Sequence, residues 1–123
     1  MAGRVVMAAL AIAAMAQPAA AASVTAGRAI FSRCAICHNV AAGAGTKVGP
    51  DLHGIFGREA GTWDDFPYSA AMQHSGIVWT DKTLTGFVRD PGRFMPGNRM
   101  AFPGIDDDRE IADLLAYLHQ AAQ

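Results

Sequence analysis

Charge is scarce in this chain: 17% of its 123 residues are charged, the formal net charge is −1, and Lys and Arg are scattered rather than gathered into a stripe. No phosphate backbone would find a footprint on such a surface, so nucleic acid is not an expected partner. The length excludes a multidomain enzyme. Cysteine is nearly absent, with two residues, and past residue 22 there is neither repeat nor low-complexity tract. Nor does any apolar run reach the ~18 residues that a membrane-spanning helix needs.

What is present begins with an apolar end. Eighteen of residues 1–22 are apolar. Arg4 supplies a positive start, Val5 to Ala16 an uninterrupted apolar stretch ended by Gln17 and Pro18, and Ala20, Ala21 and Ala22 small residues before Ser23. This is the pattern of a secretory signal peptide, and the rival reading, a retained anchor, is short of spanning length. The expected division is a cleaved signal over 1–22 and one domain over 23–123. Losing Arg4 takes the formal charge from −1 to −2. A domain this small has a modest core, to which a large apolar cofactor would add substantially.

The two cysteines stand in Cys34-Ala35-Ile36-Cys37-His38. A spacing of two followed by His is the c-type haem attachment pattern: two thiols on one turn can add to the two vinyl groups at one haem edge while the next side chain faces the iron. His38 is then the proximal ligand. A Cys34–Cys37 disulfide or dithiol site would need a βαβ context that is missing here, and structural zinc would need a distant fourth ligand.

The rest reads as one all-α domain of short helices separated by Gly- and Pro-rich stretches. A first helix is expected over Ala26 to Cys34 with Thr25 as N-cap, leading into Cys34–His38. Others are expected over Tyr68 to His74 and Asp81 to Arg89, and a last one carries Ile111, Leu114, Leu115 and Leu118 at helical spacing. Asp106, Asp107 and Asp108 admit a docking or metal reading, but acids at a helix start satisfy free backbone donors, and Asp107 with Glu110 has the spacing of a capping box.

A second haem ligand must come from Met72, Met95, Met100, His53, His74 or His119 once the leader methionines are set aside. A thioether favours the ferrous form and a second imidazole lowers the potential, so the choice bears on function. Asp90 to Gly104 is expected as a constrained loop that can carry a ligand. Met100 lies between Pro96-Gly97 and Pro103-Gly104 and is preferred; Met95 remains its rival, and Met72, on a helix, reads as packing.

From Gly27 to Ala121 the chain closely resembles the class I cytochrome c family, of the mitochondrial cytochrome c and bacterial cytochrome c2 type. The resemblance is carried by Gly27-Arg28-Ala29-Ile30-Phe31, the Cys34–His38 motif, Gly49-Pro50-Asp51-Leu52-His53-Gly54-Ile55-Phe56-Gly57-Arg58, Tyr68, Trp79, Pro96 to Gly104, and Asp113-Leu114-Leu115-Ala116-Tyr117-Leu118. It implies the family's fold around one covalent haem c, Met100 as distal ligand, and a Pro50 carbonyl accepting from the free ring nitrogen of His38. Arg58, Tyr68 and Trp79 would be haem-propionate partners. Gly27 would let the first and last helices approach, with Phe31, Leu114 and Tyr117 at the contact and Phe102 near the haem edge.

Four departures stand out. Asn98 replaces a propionate-contacting Thr of the mitochondrial proteins, Phe87 a Tyr near the Met sulfur, and Met72 an Asn of the internal polar network; a drier distal side is expected. In the docking ring of Lys residues, Arg28, Arg33, Lys47, Arg93 and Arg99 keep positive charge, Gly92 drops a member, and Asp106 and Asp107 reverse two. The implied function is a monomeric periplasmic one-electron carrier, not an enzyme. Its partners would be redox proteins: a cytochrome bc1 complex, terminal oxidase, photosynthetic reaction centre or periplasmic dehydrogenase.

Overall fold

The computed structural model describes residues 1–16 and 20–123. Residues 1–16 have no regular secondary structure and their large apolar side chains are exposed; Gln17 and Pro18, expected to end the apolar run, lie outside the described residues. No helix among the described residues is long and apolar enough to cross a membrane.

Five helices are described: α1 Val24–Phe31, α2 Ala70–Gln73, α3 Asp81–Arg89, α4 Pro91–Phe94 and α5 Asp108–Ala121. Glu59 and Val78 form an isolated antiparallel bridge. The first helix starts before Ala26 because Ser23, not Thr25, is its cap: Ser23 is extended, and its Oγ accepts from the Ala26 N–H at 3.1 Å. It ends at Phe31 rather than Cys34 because tighter turns take over, with the Ser32, Arg33 and Cys34 N–H groups donating to the Ala29, Ile30 and Phe31 carbonyls at 3.3, 3.1 and 2.8 Å.

The helix expected over Tyr68 to His74 is confined to Ala70–Gln73, since the Ser69 hydroxyl accepts from the Met72 N–H and fixes the start. The α3 boundaries are those expected, and Thr80 and Thr83 close a reciprocal capping box. Within the expected loop from Asp90 to Gly104, Pro91–Phe94 is helical: Asp90 accepts from the Arg93 N–H, and Pro91 sits in the first turn, where its missing N–H costs nothing.

Asp107 caps α5 by accepting from the Arg109 and Glu110 N–H groups. The Glu110 carboxylate, expected to close a box with Asp107, instead pairs with Arg33 across the helix interface at 3.3 Å. Helices α1 and α5 pack closely because Gly27 has no side chain: a Cβ there would overlap the Asp113 carbonyl and crowd Tyr117. Phe31 and Tyr117 fill the contact with ring centroids 5.2 Å apart. Ile30, Ile111, Leu114, Leu115 and Leu118 are buried here and on the adjoining core, each contributing roughly 1.5–3 kcal/mol of transfer free energy.

Candidate haem site

A cleft of about 270 Å³ runs into this core. Its walls are mainly apolar: Phe31, Leu52, Ile55, Leu84, Phe87, Leu114 and Leu118 line it together with Cys34, Cys37, His38, Pro50 and Met100. Both thiols are free. Burial pushes the Cys34 thiol up to about 11, against the opposing pull of Arg33, so it is protonated at neutral pH.

The ring of His38 is fixed from two directions. Its Nδ1 lies 2.7 Å from the Pro50 carbonyl, which can only accept, so Nδ1 carries the proton and Nε2 keeps its lone pair. Burial lowers the His38 pKa, favouring the neutral imidazole that a metal needs. Gly49 lies against the ring so closely that a Cβ would collide with it. Beneath this loop Asp51, 1% exposed, accepts from the Gly45 and His53 N–H groups at 2.8 Å each. Sequence reading missed that brace, although an Asp bonding its own backbone two residues on is a common turn signal.

Of the candidate second ligands, Met100 and Met72 line the cleft, and Met95, His53, His74 and His119 do not. Met95 is 5% exposed and part of the core. Met100 is held by its neighbour: Asn98 Nδ2 donates to the Pro91 and Met95 carbonyls at 2.8 Å each, while its Oδ1 accepts from the Met100 N–H at 2.9 Å. Asn98 therefore has all three interactions within its own loop. His119 stacks on Phe56 at 3.7 Å and contacts Asp81 at 2.6 Å, and His53 Nδ1 is buried with no partner among the described residues.

Arg58, Tyr68 and Trp79 line the cleft with these ligand candidates. The Arg58 guanidinium donates to the His53 and Asp51 carbonyls at 2.9 and 3.2 Å and lies 4.7 Å from the Trp63 ring centroid. Burial lowers its pKa and raises that of Tyr68, and each side chain partly offsets the other's shift. Trp79 is 5% exposed, its ring 5.2 Å from that of Phe87. Phe87 and Met72 are also on the wall, so two of the departures from the mitochondrial pattern face one apolar cleft.

The donor set fits a haem: two neighbouring thiols, an imidazole with its lone pair free, a thioether in the same cleft, and apolar walls for a planar macrocycle. It does not fit zinc, because no group of three or more His, Cys, Asp and Glu suited to a metal occurs among the described residues.

An all-α fold of short helices with a Cys-x-x-Cys-His segment in the wall of one apolar cleft defines a class I c-type cytochrome. The chain belongs to the cytochrome c family, whose profile, described as "Cytochrome c", matches residues 24–122. It is 43% identical over 109 residues to cytochrome c2 of Blastochloris viridis, covering 89% of this chain and 86% of that protein. Cytochrome c of Sesamum indicum is 44% identical over 99 residues, covering 80% and 89% respectively. Among solved structures, cytochrome cH from Methylobacterium extorquens superposes with a TM-score of 0.75 at 36% identity, over 80% of this chain and 98% of that one. Family members are electron carriers with one covalently attached haem c, and Cys34 and Cys37 fit its attachment motif.

Proposed function

We propose that the chain is exported, loses residues 1–22, and carries single electrons in the periplasm between respiratory or photosynthetic redox proteins. Cys34 and Cys37 would hold the haem by thioethers, with His38 and Met100 as its two iron ligands. The observation that carries this reading is that His38 Nε2, free because Nδ1 is bound to Pro50, belongs to the same apolar cleft as Met100 and both thiols. Export is supported by the leader pattern and by a core that draws nothing from residues 1–16.

When bound, the haem supplies a ferric/ferrous couple. The chain's task is to keep ligation unchanged as the charge changes. Pro50 and Gly49 hold the imidazole in one tautomer and one orientation, and Asn98 fixes the backbone of Met100. Arg58, Tyr68 and Trp79 are the residues to bind the propionates, and the apolar walls exclude water. With both ligand positions taken by protein side chains, no site is left for a substrate. The partners would be a cytochrome bc1 complex, a terminal oxidase, a reaction centre or a periplasmic dehydrogenase, met by a monomer through the exposed rim.

Cell fractionation followed by a redox titration tests this. The expected result is a haem-bearing periplasmic protein with the mass of a truncated chain, reduced reversibly by one electron and unreactive towards carbon monoxide. A protein retained in the cytoplasm without haem, or one that binds carbon monoxide readily, would overturn it.

A further inference from the structure

Asp113 is a carboxylate on α5 that is 6% exposed and lies outside the haem cleft. Its Oδ1 accepts from the backbone nitrogen of Ser23 at 2.6 Å and faces Arg109 Nε at 3.2 Å. A buried carboxylate needs charged or hydrogen-bonding partners, and one of its two is the main-chain nitrogen at the junction between the leader and α1. The Arg109 guanidinium also donates to the Ala20 and Ala21 carbonyls at 2.7 and 2.6 Å, so the junction lies along α5.

We infer that cleavage of the Ala22–Ser23 peptide bond creates an α-ammonium on Ser23 that forms an ion pair with Asp113, so that removal of the leader completes the α1–α5 contact. This rests on the export reading above. In the cleavage, a leader peptidase adds one water across the bond: Ala22 leaves with a new carboxylate, and the Ser23 nitrogen gains hydrogens to become an ammonium. An amide donor at 2.6 Å from a carboxylate thereby becomes a charged donor at the same place.

Helix electrostatics make that pairing necessary. A positive terminus at the start of a helix opposes the macrodipole, and α1 has no acid in its first turn to compensate. Asp113 supplies the missing negative charge from the neighbouring helix. Ser23 meanwhile keeps its capping role, because its Oγ accepts from Ala26 and its carbonyl accepts from the Gly27 N–H at 2.9 Å, neither of which involves the leader. A start one residue earlier would leave the charge displaced from the carboxylate.

The test begins with the intact mass of the exported holoprotein. A chain beginning at Ser23 is expected. Cleavage elsewhere would overturn the ion pair while leaving export intact, whereas an uncleaved chain would sink the export reading itself. The mature holoprotein is then compared with one engineered to retain Ala22, each with and without Asp113→Asn. Retaining Ala22 should raise the unfolding constant about tenfold, the scale of a charge-assisted hydrogen bond, and that difference should vanish with Asp113→Asn. An equal effect in both backgrounds would contradict the pairing. Should Asp113→Asn fail to fold, acylation of the α-amine by an amine-directed reagent decides: several-fold slower reaction at a Ser23 terminus than at an Ala22 terminus is expected, and equal rates would overturn the proposal.

Discussion

Asn98 shows how a single side chain can do the work of a loop. By donating to Pro91 and Met95 and accepting from Met100, it ties the end of α4 to the backbone of the proposed ligand. Asn98→Ala should cost about 1–3 kcal/mol in denaturant unfolding of the holoprotein. It should also weaken the long-wavelength sulfur-to-iron band before global unfolding, a signature that simple destabilisation would not give. Gly49 acts on the other ligand. In Gly49→Ala the added methyl meets the His38 ring, which must turn or retreat from Pro50, and the expected outcome is a shifted reduction potential and poor haem incorporation, read by electrochemistry and haem stain. An unchanged potential would show that the ring has room that the structure denies it.

At the scale of the elements, the crossing of α1 and α5 depends on Gly27. Replacing it with Val drives a side chain into the Asp113 carbonyl and should destabilise the protein by about 3 kcal/mol or more, seen as a lowered denaturation midpoint. Asp107→Ala removes only the α5 cap and should cost about 1 kcal/mol. These elements also mark what could be read in advance. The α3 boundaries and the apolar face of α5 were legible because periodicity and acidic starts are local signals. The motif from Cys34 to His38 was legible because its spacing is local too, and the flanking Pro-Gly pairs agree with a cleft lined by Met100 and not by Met95. The start of α1 was not, since Ser23 and Thr25 are both good caps and the choice between them involves Asp113, ninety positions away. The short α4 hid within a Pro-Gly segment that reads equally as loop. Glu110 left its expected box because Arg33, distant in sequence, lies beside it once the helices pack.

Over the whole molecule, charge decides how the carrier meets its partners. Arg28, Arg33, Lys47, Arg93 and Arg99 are exposed, yet Arg33 is paired with Glu110, and Asp106 and Asp107 are exposed as well. With a formal charge of −1, or −2 under the proposed removal of residues 1–22, the surface is mixed rather than strongly positive. Electron transfer to an acidic partner should therefore fall only slightly as salt is raised, which stopped-flow rates at several ionic strengths would measure. Electron carriage as proposed depends most on the pairing of His38 with Met100 across one haem. Its most direct test is the optical spectrum of the oxidised holoprotein beside those of Met100→Ala and Met72→Ala. A low-spin spectrum whose sulfur-to-iron band survives in Met72→Ala and disappears in Met100→Ala is predicted. A band that persists without Met100, or a high-spin spectrum in the unsubstituted protein, would contradict the assignment.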